Sequence, residues 1–564
     1  MTNSEITSKF KLAAKLMELH GENPFKLRSY QNISDTIYNQ GVDLSGLSVN
    51  ELEAIEGIGK GMAANIRSLV ETGTFENLDK YLKMTPEGVI EMLRISGFGP
   101  KKVWTLWQEG GAETVDDLSR LCRQGKVAGL KGFAEKSQES LLSAVEFLIG
   151  NRGKQRYADA EKTMIDILEA LGSISGIELK SETGDMRRRM EVVDRLEILV
   201  ATNDFEKCRD SISRLEGFEE NKERSGPFTW KGSYFGTDLP VNIRFSSVAQ
   251  FYSQLIKTTG SVSHLNQTLA DGKKLKENLK STHQSEESFY SSVGLKFIEP
   301  EMREGMHEVS LAQNDKLPHL LEVSDLKGIL HNHSTYSDGK HTLRQMAEHC
   351  KSLGYEYLGI SDHSQTAVYA SGLQEFRVKE QQKEIAELNK ELAPFRIFSG
   401  IESDILNDGS LDYSEEILES FDFIVASIHS GLSMDINKAT NRLLAAIRNP
   451  YTTILGHMTG RLILERAGYP VDHKAIIDEC AKQGVVIEIN ASPYRLDIDW
   501  RWVDYALEKG VKLSINPDAH KMEGYKDMHY GVLVGRKGGL TREMTLNSMS
   551  VEEISEYFQS RKKK

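Results

Sequence analysis

Toward the C-terminus, apolar runs end repeatedly in histidine or a carboxylate. ILHNH closes on His331 and His333, with Asp338 in the following loop. LGISDH closes on Asp362 and His363, FSGIE on Glu402, FIVASIH on His429, TTILGH on His457, and KLSINPDAH on Asp518 and His520. Imidazoles and carboxylates without a thiolate suit Zn²⁺, Mn²⁺ or Fe²⁺. Residues two apart on a strand share a side, so His331 and His333 can serve one ion, as can Asp518 and His520. A carboxylate such as Glu402 can bridge two ions. Adjacent ions can hold a phosphate oxygen, lower the pKa of water and stabilise a leaving oxygen. A single histidine at a strand end is an ordinary polar cap, but recurrence at the same end of successive strands points to a metal site. Asp362, one residue out of step, is expected to orient a neighbour from behind the donors. His341 and His349 are expected at the surface or behind the donors.

These donors need elements that bring them together. From about residue 318, seven short apolar strands alternate with amphipathic helical segments such as TLRQMAEHCKSLG. That alternation implies a parallel sheet, and seven units suggest a closed barrel whose C-terminal rim gathers the strand ends. Residues 1–152 instead carry helical periodicity broken by glycine pairs. Residues 153–317 mix helices with short strands, LEILVA at 196–201 and LPVNIRF at 239–245. The reading is therefore three domains, 1–152, 153–317 and 318–564, in a multidomain α and α/β fold. The terminal RKKK reads as a solvated tail.

Composition narrows the classes. The chain has 564 residues, too many for one core. Net charge is −13, which argues against non-specific nucleic-acid binding by the whole surface while leaving local contacts open. Cys122, Cys208, Cys350 and Cys480 are scattered without a CxxC pair and read as reduced core residues of a cytoplasmic protein. No apolar run is long enough to span a bilayer, and the N-terminus lacks a signal-peptide core.

HNHSTYSDG, SDHS, GIESD, ASIHSG, LGHMTGR and NPDAH resemble the successive motifs of the polymerase-and-histidinol-phosphatase (PHP) family. The resemblance covers about residues 327–557. It implies a (β/α)7 barrel that binds up to three metals and hydrolyses phosphate esters. The implied ligands are His331, His333, Asp338, His363, Glu402, His429, His457, Asp518 and His520. Ile329 stands where many members have aspartate, outside those nine positions.

In the first section, LEAIEGIGKGMAANI and MLRISGFGPKKV place Gly57, Gly59, Gly97 and Gly99 between helical patterns. Glycine permits a tight turn whose amides can approach a phosphate at the next helix N-terminus. Lys60, Lys101 and Lys102 can add charge. Such contacts hold the DNA backbone without reading sequence. Both stretches resemble helix-hairpin-helix motifs. A third candidate, AGLKGFAEKS, has Ala134 in place of the second glycine and is weaker.

With NPFKLRSY, TTGS and SVGLKFIEPEMREG, the order of parts resembles bacterial and archaeal family-X DNA polymerases with a C-terminal PHP domain. That resemblance extends across essentially the whole chain. It implies a palm in which an Asp-X-Asp strand follows a Gly-Ser, Arg-Arg loop, with a third aspartate on a neighbouring strand. Here Gly184, Arg187, Arg188 and Glu191 match, but the three acid positions hold Arg195, Glu197 and Asn242. An arginine adds positive charge where two Mg²⁺ would sit, and one glutamate does not replace the set. Mg²⁺ is therefore not expected at the palm, and the arginine loop is read as a grip for DNA phosphates. Asn65 stands where lyase-active members carry a nucleophilic lysine, so Schiff-base chemistry is not expected there.

The leading expectation is a metal-dependent phosphoesterase on DNA, a 3′→5′ exonuclease in repair acting on gapped, nicked or 3′ ends. The cofactors would be up to three Mn²⁺, Zn²⁺ or Fe²⁺ ions, and the chain would be a monomer. The alternatives are an active family-X polymerase with exonuclease, a non-catalytic DNA-end scaffold and a small-molecule phosphatase. Primer extension, metal removal and phosphomonoester turnover separate them.

Overall fold

Glycine in the left-handed region turns the chain between the N-terminal helices. Gly57, Gly97 and Gly132 have φ of 88°, 80° and 86°. The helices Lys60–Thr72, Pro100–Gln108 and Glu135–Gly150 each start three residues later. The computed structural model describes residues 1, 3–38, 42–95 and 97–562. Residues Met1–Arg152, with Glu465–Ala467, form one compact unit, and Gly153–Leu464 with Gly468–Lys564 form the other. The first is helical around a core that includes Phe10, Tyr30, Phe75 and Leu106.

The second unit holds two large sheets and a two-stranded one that pairs Gln155–Arg156 with Val192–Val193. In the five-stranded sheet, β1 (Ile177–Glu182), β2 (Leu196–Thr202), β3 (Phe218–Glu220), β4 (Thr229–Tyr234) and β5 (Val241–Ser246) lie in the order β1-β2-β5-β4-β3. β2 and β5 run parallel, with Glu197 opposite Asn242. The larger sheet contains β6 (Gly328–Ile329), β7 (Tyr357–Ile360), β8 (Arg396–Asp404), β9 (Phe423–Ser427), β10 (Ile454–Leu455), β11 (Val486–Asn490) and β12 (Leu513–Asn516). These are seven parallel strands in sequence order. A parallel bridge between Asn332 and Ala519 joins the first strand's end to the last and closes the ring. The helical N-terminal section, the mixed sheet and the parallel barrel agree with the fold class read from the sequence.

Parallel strands covered on both faces should be apolar throughout, and β7, β9 and β11 are buried along their whole length. Inside the barrel, Leu330, Tyr357, Phe398, Phe423, Val425, Ile454 and Val486 fill the floor. Gly400 leaves room there, since a Cβ at this position would lie 2.4 Å from the Phe423 ring. The last helix, Val551–Lys562, caps the floor with Phe558, whose ring stacks on Phe423 at 5.2 Å. Burying such a ring contributes roughly 1.5–3 kcal/mol.

The terminal basic run departs from the expected solvated tail. The helix continues through Lys562, and Arg561 is buried, donating to the carbonyls of Gln483 and Thr452 at 2.6 and 2.7 Å. Those carbonyls lie before β11 and β10 and need a donor once covered. Lys563 and Lys564 lie outside the described residues. All four cysteines are buried and free. Among the described residues no helix is long and apolar enough to cross a membrane.

Candidate metal centre

The barrel rim gathers the strand-end donors around one carboxylate. Glu402 Oε1 lies 3.2 Å from His331 Nε2, 3.2 Å from His429 Nε2 and 3.1 Å from His457 Nε2. Its Oε2 lies 3.0 Å from His363 Nδ1 and 3.6 Å from His333 Nε2. Asp518 Oδ1 faces His333 Nε2 at 3.1 Å, and Asp338 Oδ1 faces His520 Nε2 at 3.3 Å. Three overlapping groups have donor atoms close enough to share an ion: His333, Asp338, His363 and His520; His331, His333 and Asp518; and His363, Glu402 and His429. His457 joins them through Glu402. The nine positions implied by the PHP motifs therefore converge.

The donor set fits divalent cations on its own chemistry. His331 Nε2, His333 Nδ1, His363 Nδ1, His457 Nδ1 and Glu402 Oε2 are buried without a hydrogen-bond partner. Buried polar atoms are rarely left so unless something else satisfies them. The imidazoles are also pushed apart electrostatically. Burial lowers His429, but Glu402 and Asp404 outweigh it and raise the ring to about 10. Burial together with His520 and His363 depresses His333 to about 3.

The pleat argument for His331 and His333 does not hold. β6 ends at Ile329, and Leu330 already points into the barrel floor. Regular alternation would aim His331 outward with Ile329. His331 instead has φ of 56°, which reverses its direction, and Asp518 has φ of 51° on the closing strand's extension. Left-handed backbone at residues other than glycine costs about 1–3 kcal/mol and persists only where its surroundings impose it. Here the imposing contacts are the His333 amide on the Ala519 carbonyl at 2.9 Å and the Lys340 amide on His520 at 2.7 Å.

Asp362 is fully buried and binds no imidazole. It accepts from the amides of Ser334 and Ser337, from both hydroxyls and from Gln381 Nε2, and so fixes the turn before Asp338. His341 accepts from the Met522 amide at 3.3 Å and His349 stacks on Tyr525, both away from the donors.

In the helical unit, Gly59 and Gly99 cap their helices with extended backbone and no side-chain hydrogen bond; Pro100 has no N–H and the Met62 and Lys102 amides donate to the cap carbonyls, which leaves the amides of Lys60, Gly61 and Lys101 to face a ligand. Lys60 and Lys101 are exposed, whereas Lys102 lies over the Phe98 ring at 4.9 Å. The third turn has the same build. Gly132 is left-handed, Phe133 is buried as Ile58 and Phe98 are, and Ala134 is the extended cap. Ala134 is thus no obstacle to the turn, but Glu135 puts a carboxylate at the first helical position, where a phosphate would be repelled. Asn65 donates to the Tyr30 hydroxyl at 3.0 Å.

The palm residues do not come together as a metal site. Arg195 pairs with Asp194 at 2.8 Å near the surface. Glu197 turns toward Gly184, where an added Cβ would lie 2.3 Å from its Oε2, and burial raises its pKa. The reading of the arginine loop as a phosphate grip is corrected by its partners. Arg187 is paired with Glu286, donating at 2.9 Å in one of two contacts. Arg188 binds Asp185, Glu304 at 3.1 Å and the Thr259 carbonyl at 2.6 Å. Arg189, at φ 57°, donates to Glu182 at 2.6 Å. Internal carboxylates already occupy the guanidinium forks that a phosphate would need.

Known families and relatives agree with this layout. A helix-hairpin-helix domain family matches residues 1–75, and the PHP domain family matches residues 330–492. Over 573 residues, 99% of each chain, the sequence is 35% identical to the DNA polymerase/3'-5' exonuclease PolX of Bacillus subtilis (strain 168). The chain belongs to the family-X DNA polymerases that carry a PHP domain. This family-X protein is also 27% identical over 252 residues to a probable phosphatase of Thermoanaerobacter sp. (strain X514), covering 42% of this chain and 98% of that one. A probable phosphatase of Photobacterium profundum is 30% identical over 200 residues, 34% of this chain and 76% of that one. This family-X member thus carries a metal-dependent PHP phosphoesterase domain behind a helix-hairpin-helix region.

Two carboxylates of the family-X barrel escaped the sequence reading. Glu488 accepts from His331 Nδ1 at 2.5 Å, from the His457 amide at 2.7 Å and from Asn516 at 2.9 Å. Asp404 pairs with His429 Nδ1. Their signals were an acid inside the apolar strand VVIEIN and a second acid two residues after Glu402 in GIESD. Each turns the opposite ring nitrogen toward Glu402, the usual task of a carboxylate behind a metal-binding histidine. Glu488→Gln is expected to weaken divalent-ion affinity roughly 10–100-fold, read by competition with a chelating dye. An unchanged affinity would remove Glu488 from that role.

Proposed function

We propose that the barrel is a metal-dependent 3′→5′ exonuclease acting on DNA ends in repair, and that the palm no longer transfers nucleotides. The observation that carries the first part is the convergence of imidazole and carboxylate donors on Glu402, several of them buried without hydrogen bonds. His331, His333, Asp338, His363, Glu402, His429, His457, Asp518 and His520 would hold up to three ions, with Mn²⁺, Zn²⁺ and Fe²⁺ all compatible with these donors. Bound divalent ions supply Lewis acidity toward a phosphate ester and toward water. The protein's own part is orientation. Glu488 and Asp404 fix two imidazoles, and Asp362 fixes the turn that delivers Asp338. The open helix N-termini after Gly59 and Gly99, with Lys60 and Lys101, suit sequence-independent contacts to DNA phosphates. The exonuclease activity in the name of the Bacillus subtilis relative supports an exonuclease over a small-molecule phosphatase.

The test is a 5′-labelled primer–template incubated with Mn²⁺, with and without EDTA. The expected result is stepwise shortening that EDTA abolishes, and an intact primer in Mn²⁺ overturns the reading. A second reading, retained polymerase activity, is favoured by the same relative's name. Against it stand Arg195 at an acid position, Glu197 turned toward Gly184, and the paired arginine loop. Incubation of the same primer with dNTPs and Mg²⁺ is expected to give no extension. Measurable extension would restore the polymerase reading.

A further inference from the structure

Beside the donor set the chain holds an aromatic ring in water. Tyr369 is 70% exposed and its neighbour Val368 is 82% exposed. Their loop is nevertheless fixed at many points. Ser364 and Leu373 are bridged, the Gly372 amide donates to the Ala367 carbonyl at 3.1 Å, and the Leu373 amide donates to His363 at 2.8 Å. Gly372 passes so close that an added Cβ would lie 1.9 Å from the Ser364 carbonyl. The Thr366 hydroxyl reaches Asp412 at 2.8 Å and Asp404 at 3.0 Å, and Asp404 is the carboxylate that orients His429. The loop is therefore tied to the centre at both ends and in the middle, and its large apolar side chains still face outward.

The ring is also close to the chemistry. Its centroid lies 6.1 Å from that of His363. Tyr494, another exposed aromatic on a segment after these strands, has one face covered by the Arg156 guanidinium at 3.8 Å. Aromatic rings in fixed positions bind bases by stacking, with little regard to base identity.

We propose that Tyr369 is the platform on which the base of the terminal nucleotide stacks while its phosphodiester enters the donor set. This rests on the exonuclease reading above and deepens it. A single-stranded end would be gripped by its last base, so the enzyme would favour ends bearing a base over ends lacking one.

The experiment uses the full chain and two 5′-labelled single strands of one sequence. One ends in thymidine and the other in an abasic tetrahydrofuran residue. Wild type with Mn²⁺ is expected to remove the terminal thymidine roughly tenfold faster, as kcat/KM, than the abasic residue. Tyr369→Ala is expected to lose that preference by slowing only on the thymidine end, while Tyr369→Phe and Tyr369→Trp keep it. The exposed ring carries little of the fold, and an unchanged rate on the abasic end reports that the centre is intact. Equal wild-type rates on the two ends, or a preference that survives in Tyr369→Ala, overturn the platform and leave the exonuclease reading standing. Cleavage of neither strand by wild type overturns both.

Discussion

A chain carrying His331→Ala and His333→Ala is expected to shorten a DNA primer at least roughly 1,000-fold more slowly than wild type, the scale of losing groups that stabilise charge at a reacting centre. His331 stands between Glu488, Glu402 and Asp518, and His333 belongs to two of the three donor groups. Removing both takes a donor from every shared position near Asp518. It also leaves Glu488 facing a void where it now accepts a hydrogen bond. Two further readouts separate loss of the centre from loss of the fold. Metal content of the purified variant should fall, while its affinity for DNA through the N-terminal hairpins should not. Undiminished digestion by the variant would sink the proposal that the barrel is the nuclease.

The second large effect is one of stability. Glu304→Ala is expected to destabilise the unit of palm and barrel by about 3–5 kcal/mol, the cost of leaving buried charge without its partner. Glu304 lies between Arg188 at 3.1 Å and Lys537 at 2.7 Å, and Lys537 is almost wholly buried. Burial alone would raise Glu304, but Lys537 and Arg188 more than offset it and hold the carboxyl below its ordinary value. A depressed carboxylate stabilises the fold above its unfolded pKa, about 4.3 for glutamate. That stability is lost as pH falls through the lower, folded value. Urea titrations of wild type should therefore weaken on acidification below about pH 4, and Glu304→Gln should flatten this acid limb while costing less than alanine at pH 7. Hydrogen exchange in residues 184–191 gives the local measure, and unaltered protection there in Glu304→Ala would contradict it.

This junction also marks where the sequence stopped being legible. Arg187, Arg188 and Arg189 are a plausible phosphate site when read along the chain. Asp185 and Glu182 stand close by, but the partners that tie Arg187 and Arg188 into the fold, Glu286 and Glu304, lie 99 and 116 residues away. The barrel donors were legible for the opposite reason. Strands buried on both faces are continuous apolar runs, so a polar residue at the end of each is conspicuous. What supports the donors was not. Glu488 meets His331 across 157 residues, and the reversed backbone at His331 breaks the alternation from which its direction was inferred. The third N-terminal turn shows a smaller version of this. Ala134 suggested a defective turn, yet its extended backbone needs no glycine, and it is the charge of Glu135 that distinguishes this copy. Basic residues at the C-terminus suggested solvent, but Arg561 answers two covered carbonyls.

The bridge between Asn332 and Ala519 makes the barrel a belt with a buckle. His331 and His333 sit on one side of that buckle, Asp518 and His520 on the other, and His333 and Asp518 are 185 residues apart in the chain. An ion gripped from both sides is a cross-link across that whole span. Unlike a disulfide it is released when the chain unfolds, so it stabilises by binding the closed ring alone. Occupancy and resistance to unfolding then rise together, so that the melting temperature of the second unit should climb with free metal concentration.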